Sequence, residues 1–154
     1  MQSPRPWTAP LCGILLLALA GCGEKAVTQE EFNSRVVTFP NGTKIRAEVA
    51  MYAADVQRGM KYRESLAADR GMLFLHGKPG SYRYWMYEVR IPLDLVWLNE
   101  NRQIVQIVHS APPCPGPEGA CPVYGGAFPS VYVLEVPAGT VAKNNLKPGM
   151  TLDF

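Results

Sequence analysis

The stretch Tyr82–Asn99, YRYWMYEVRIPLDLVWLN, decides how the rest of the chain is read. It holds two of the three tryptophans, Trp85 and Trp97, and an acid, Asp94, set between leucines. Successive strand residues point to opposite faces. In the second half, Leu93 and Leu95 therefore face one way and Pro92, Asp94 and Val96 the other. Pro92 falls at the start of that strand, where a missing N–H donor is tolerated. In the first half, Tyr82–Val89 reads as a strand with mixed faces. Tyr82, Tyr84 and Met86 share one side; Trp85 and Tyr87 share the other. Core packing is the expectation for Trp85 and Trp97, and the opposite face is left to stack a ring or meet a partner.

Outward from this stretch the chain keeps the same rhythm. RVVTFPNGTKIRAEVAM has two β-rich runs around Asn41-Gly42, a dipeptide that favours positive φ and marks a hairpin. In its second run Ile45, Ala47, Val49 and Met51 alternate with Lys44, Arg46 and Glu48. AADVQRGMKYRESL is the best helix candidate, with Val56, Met60 and Tyr62 on one side. GMLFLHG reads as a short apolar strand, KPGS as a turn, QIVQIVHS and SVYVLEV as strands. PAGTVAKNNL reads as a turn and short helix, and KPGMTLDF as a closing strand. Residues 110–129 are crowded with Pro and Gly, and no regular element is expected there. The expected fold is mainly β: a small single-domain β-sandwich or partly open barrel with one or two short helices.

The N-terminus carries an address. Arg5 precedes an apolar run from Leu11 to Ala20, too short for a spanning helix, which needs about 20 apolar residues. It fits a signal-peptide core. The run ends in Leu19-Ala20-Gly21-Cys22, which resembles the bacterial lipobox, whose cysteine is acylated and becomes the first mature residue. Residues 1–21 are expected to be the signal, 22–34 the lipidated cysteine and a polar tether, and 35–154 the β domain. Gly23 follows the cysteine, as in lipoproteins sent to an outer membrane. The expected location is the extracytoplasmic side of a bacterial envelope, with acyl chains as the membrane contact. Cleavage would leave 154 − 21 = 133 residues, with 15 − 1 = 14 basic side chains against 13 acidic. That near-neutral balance offers no nucleic-acid surface. A monomer is expected, with an unidentified small molecule or envelope protein as partner.

The motifs can then be assembled. Gly59-Met60, Gly71-Met72-Leu73-Phe74, Tyr84-Trp85-Met86, Ile91-Pro92-Leu93-Asp94 and Leu134-Glu135-Val136-Pro137-Ala138-Gly139 occur in this order. Together they resemble the bacterial and archaeal family called domain of unknown function 192, from about Thr38 to the C-terminus. The resemblance implies a compact, mainly β fold and no established activity. Where the family usually continues Trp-Met with a Lys-Asn-Thr type segment, this chain has Tyr87-Glu88-Val89. A ligand site built on those small polar residues in relatives would be lost here.

Cys114 and Cys121 are the clearest chemical pair. With Cys22 acylated and Cys12 in the removed segment, they are the thiols left in an oxidising compartment. A structural disulfide is expected; half a metal site and a redox pair are the alternatives, though the spacing is not Cys-x-x-Cys. Met51, Met60, Met72, Met86, His76 and His109 are soft donors, yet none stands at a convincing ligand spacing. No metal or cofactor is expected.

Asp94, on an apolar strand, must be hydrogen-bonded or paired. Arg58, Arg63, Arg70, Arg90 or backbone donors are its candidate partners. The candidate ligand-binding set is Arg58, Tyr84, Trp85, Met86, Glu88, Arg90, Asp94, His109 and Tyr124. Two functions follow. One is a lipid-anchored domain that binds a ligand or partner without catalysis. The other is an envelope enzyme using Asp94 or Glu88 as acid/base, assisted by His109 or an arginine. A copper-handling role ranks third. No nucleophile elbow, P-loop, dinucleotide fingerprint or His-Glu-x-x-His is present.

Overall fold

A computed structural model describes residues 33–154. The expected signal segment, Cys22 and most of the tether lie outside the described residues. Eight strands and two short helices follow in order: β1 (Ser34–Thr38), β2 (Lys44–Ala50), α1 (Ala53–Arg58), β3 (Arg70–Gly80), β4 (Arg83–Trp85), β5 (Leu93–Leu98), β6 (Ile104–Ala111), β7 (Val123–Gly125), β8 (Ser130–Pro137) and α2 (Thr140–Lys143). Six strands form one sheet in the order β1-β2-β3-β8-β5-β6, and β4 pairs with β7 in a separate two-stranded ribbon. The fold is thus a small, mainly β domain whose sheets are not closed.

The hairpin at Asn41-Gly42 forms as expected. Gly42 has φ +85°, and Phe39 and Gly42 close the turn by backbone hydrogen bonds. β2 and β3 are parallel, with Arg46 opposite Arg70. A parallel pair needs a long crossover, and α1 with its following loop supplies it. The expected helix beyond Arg58 does not form. Gly59 takes φ +46°, ψ −135°, outside the helical region, and its N–H bonds back to the Asp55 carbonyl. β3 continues through the expected turn at Lys78-Pro79-Gly80, with a register shift after Leu75 and Gly77 at φ +73°.

The central strands β3, β8 and β5 are buried on both faces, so their alternate residues feed two apolar clusters. Leu73, Leu134, Val136, Val96 and Leu98 belong to one, together with Phe39, Val141, Leu146 and Leu152. Met72, Phe74, Val133, Leu93, Leu95 and Trp97 belong to the other, together with Met60, Met86 and Val89. α2 and the C-terminal segment cover the first; α1, its loop and the β4–β7 ribbon cover the second. The final residues make bridges, not a strand. Asp153 pairs with Thr38 at the end of β1, and Thr151 pairs with Gln103 just before β6.

Two expectations are corrected around Tyr82–Val89. Only Arg83–Trp85 is strand. The backbone then turns, with Val89 N–H on the Met86 carbonyl and Glu88 at φ +61°. The ribbon lies on the outside of the second cluster, so it has one inward face. Tyr84 and Met86 take it, and Trp85 is left 44% exposed. Trp85 is therefore not core. Trp97, at 0%, is. Residues 110–129 are also more ordered than expected: a 3-10 turn spans Glu118–Ala120, β7 follows, and Tyr87 bridges to Cys114.

Candidate functional site

Between α1, its loop and the β4–β7 ribbon the second cluster is not fully covered. A cleft of about 410 Å³ opens there. Val56, Met60, Phe74 and Val89 give it an apolar base, and Tyr82, Tyr84, Trp85 and Tyr87 line it with rings. Arg58, Lys61 and Arg83 bring cations, and Glu135 brings a carboxyl. The size and mixture suit a small-molecule site: mostly apolar, with few polar groups.

Each wall has a local cause. β4 presents Tyr84 inward by strand parity, and Tyr84 sits edge-on to Phe74 and Trp97 at 5.0 and 6.0 Å between centroids. Its hydroxyl is hydrogen-bonded to His76 Nε2 at 2.9 Å. Burial, followed by the charge of Glu135, pushes the Tyr84 phenol far above its ordinary value, so it keeps its proton. The His76 ring lies flat on the Tyr82 ring, 3.5 Å between centroids and 7° between planes. Burial holds His76 below its usual pKa, which favours the neutral imidazole. Tyr82 is fixed at both ends: its hydroxyl donates to the Lys78 carbonyl, and its own carbonyl accepts from Trp97 Nε1, each at 2.9 Å. Gly125 on β7 passes so close to Trp97 that an added Cβ would lie 2.2 Å from the indole. The ribbon and the tryptophan therefore interlock.

The Cys114–Cys121 disulfide is formed. Its loop holds the far wall: Cys114 N–H donates to the Met86 carbonyl and Glu88 N–H donates to the Cys114 carbonyl. The turn carrying Tyr87, Glu88 and Val89 is thus tied to a cross-linked loop.

Glu135 is the group the sequence reading passed over. It sits on β8 with Val133, facing the second cluster, and is 5% exposed. Burial pushes its carboxyl up to about 8, against a lowering influence from Arg63. Among the described residues nothing donates a hydrogen bond to it. Arg63 itself is held by Glu48 in a two-pronged pair, both contacts at 2.6 Å. The signal was available: in SVYVLEV one acid interrupts an apolar strand, the same anomaly that singled out Asp94.

The structure separates the expected site residues. Trp85, Tyr84 and Arg58 line the cleft, with Arg58 paired to Asp55 at 3.1 Å. Met86 lies beneath, in the core, and Tyr124 packs on the same cluster opposite Tyr84. Glu88 accepts from Tyr62, which holds its carboxyl below the usual range, and pairs with Lys61 at 3.3 Å. Arg90 pairs with Glu64 and lies over the Tyr62 ring. Glu88 and Arg90 thus face a neighbouring groove with Pro113 and Pro115. His109 is exposed on β6, away from the cleft.

Asp94 is elsewhere altogether. It is 0% exposed, and its carboxylate accepts two backbone donors: Ser110 N–H at Oδ1 and Val141 N–H at Oδ2, both at 2.8 Å. None of the candidate arginines pairs with it. Asp94 fastens the end of β6 and the first turn of α2 to the central strand, an anchoring job that occupies both oxygens. Among the described residues no group of three His, Cys, Asp or Glu side chains is placed to hold a metal. Met60, Met72 and Met86 are packed in the second core cluster.

Comparison with known proteins agrees with this fold. A crystal structure of a protein of unknown function from Novosphingobium aromaticivorans matches with a TM-score of 0.69 and 29% identity, covering 79% of this chain and 84% of that one. A crystal structure from Sinorhizobium meliloti, described as a "putative transcription regulator", matches with a TM-score of 0.67 and 28% identity, covering 77% and 89%. No curated protein matches significantly. The family model for DUF192, described as "Uncharacterized ACR", spans residues 36–154. With that span, two solved structures of the same fold and all five motifs in order, the chain belongs to the DUF192 family.

Proposed function

We propose that this protein is a lipid-anchored binding domain of the bacterial envelope, and that the ring-lined cleft over the second core cluster is its ligand site. The observation that carries the reading is Trp85. A tryptophan left 44% exposed at the edge of a half-covered apolar cleft, beside Tyr82, Tyr84 and Tyr87, is poised to close over a ring or alkyl group. Its walls are clamped from both sides, by Trp97 within and by the disulfide loop without, so little ordering remains to be done on binding.

Anchoring through Cys22 rests on the Leu19-Ala20-Gly21-Cys22 motif and the apolar run before it. The Cys114–Cys121 cross-link supports an oxidising, extracytoplasmic location. Two results test the proposal together. Growth with an alkyne fatty acid should label the wild-type protein and not Cys22→Ala, which should be released from membranes. A thermal-shift screen of envelope sugars, peptides and amines should yield a ligand that raises the melting temperature and quenches tryptophan fluorescence. Loss of that quench in Trp85→Phe, with Trp97 intact, places the ligand at the cleft. A ligand whose signal survives Trp85→Phe and Tyr84→Ala unchanged would put the site elsewhere.

A further inference from the structure

We propose that the cleft takes an organic cation, a protonated amine or quaternary ammonium head, whose charge meets Glu135 and whose substituents lie against the surrounding rings. The inference rests on the cleft being a binding site and adds the chemistry of what enters it.

Glu135 is the central observation. Glu135 is 5% exposed and its carboxyl has no hydrogen bond or ion pair among the described residues, yet no fully buried oxygen is left without a partner, so the carboxyl keeps contact with the cleft. A carboxyl so placed is harder to ionise than one in open water. An apolar side chain at the same strand position, opposite Met72 and Leu95, would carry no such penalty. Such a group is explained by a partner the free protein lacks, and it lines the cleft the partner would use. Strongly perturbed acids in clefts mark functional sites for this reason.

The walls select the sign of that partner. Aromatic faces carry negative quadrupole density and attract cations, more so when water is excluded. Tyr82, Tyr84, Trp85 and Tyr87 all line the space. The site already shows the contact once: Lys61 Nζ lies 5.0 Å from the centroid of the Tyr87 ring. The other charges nearby are already matched. Arg58 pairs with Asp55, Lys61 with Glu88, and Arg63 with Glu48. Arg83 is exposed on β4, where water and salt screen it. His76 from β3 and Tyr84 from β4 line the same cleft, and burial favours the neutral form of both. An incoming cation therefore meets a carboxyl that has no hydrogen-bonded partner among the described residues and that opens on the cleft.

A cation that binds the ionised carboxyl must displace its proton. The affinity then scales with the ionised fraction of Glu135, rising about tenfold per pH unit below pH 8 and levelling above it. The probe is benzyltrimethylammonium, whose charge does not change with pH, with benzyl alcohol and benzoate as neutral and anionic counterparts. Binding to the purified full-length protein is read by calorimetry and by Trp85 fluorescence. The cation should bind with the stated pH slope and release protons at pH 7. Glu135→Gln should flatten the slope and weaken binding at pH 9 by at least about tenfold. The slope in the wild-type protein keeps the test independent of how well the variant folds. If benzyl alcohol or benzoate binds at least as tightly, with affinity falling as pH rises, Glu135 acts as a neutral donor: the cleft stands and the cation is wrong. If none of the three binds, both the cation and the cleft are wrong.

Discussion

Asp94→Asn separates anchoring from chemistry at the acid the sequence makes most conspicuous. Asparagine keeps the shape and one acceptor oxygen. Its NH₂ group must then face either Ser110 N–H or Val141 N–H, donor against donor, in a site with 0% exposure. A hydrogen bond to a charged group contributes about 1.5–3 kcal/mol, and a buried donor left without a partner costs about 1–3 kcal/mol more. The expected loss is about 3 kcal/mol, and about 4 kcal/mol for Asp94→Ala, which strands both donors. Urea denaturation followed by tryptophan fluorescence is the assay. The midpoint should fall by about 2 M with an unchanged slope, taking a slope near 1.5 kcal/mol/M for a domain of this size. Amide exchange should show either Val141 or Ser110 losing its protection. Ligand binding at the cleft should be unaltered in the folded fraction. A loss under about 1 kcal/mol, or a stable variant that has lost only activity or binding, would refute the anchoring account and restore Asp94 as a functional acid.

Four further outcomes are expected. Reducing the disulfide, or Cys114→Ser with Cys121→Ser, should cost about 2.5 kcal/mol by loop entropy and lower the melting temperature by roughly 10 °C; no change would mean the loop holds without its cross-link. Trp97→Ala should cost at least about 3 kcal/mol, whereas Trp85→Ala should cost under about 1 kcal/mol; equal losses in the two denaturation curves would contradict the assignment of core and lip. Between pH 4.5 and about 8 the folded chain holds a Glu135 proton that the unfolded chain has released. Stability should therefore fall as pH rises across that window and flatten above it, and Glu135→Gln should be more stable than wild type at pH 9, as judged from melting temperatures across pH. Gly125→Ala should destabilise strongly, since the new methyl would occupy the Trp97 indole and the glycine sits at φ +81°; a near-neutral melt would show that the ribbon can shift.

Much of the fold could be read in the sequence because it is carried by local signals. The alternation in KIRAEVA, the Asn-Gly turn and the parity of LDLVWL each work over a few residues, and the structure follows them except at the end of β2, where Ala50 is buried and Met51, expected on the inner face, is 54% exposed. Leu93 and Leu95 do face one cluster and Val96 the other. The errors fall where tertiary context decides. No local pattern says that YRYW lies outside a core and so turns Trp85 to water, or that β2 and β3 run parallel. The family motifs gain a physical sense only in three dimensions. The Asp of Ile-Pro-Leu-Asp accepts from the turn that follows Pro-Ala-Gly, 47 residues away, so two of the five motifs are halves of one joint. Gly71, in a third, lies where an added Cβ would be 2.7 Å from the Glu135 carbonyl. Asp94 stood out as an acid among leucines and proved to be a fastening. Glu135 had the same signature and was hidden by standing in a strand too regular to question.

The bridges made by Thr151 and Asp153 couple the two rims of the main sheet. Asp153 clasps the end of β1, the first of the described strands, and Thr151 clasps the entry to β6. Both edges of the main sheet thus depend on residues far from them along the chain. A chain that has paired its middle strands but not yet docked residues 151–153 has an unfastened rim. A deletion of Thr151–Phe154 would leave a product with every strand present and both edges unclasped, open to pairing with its neighbours.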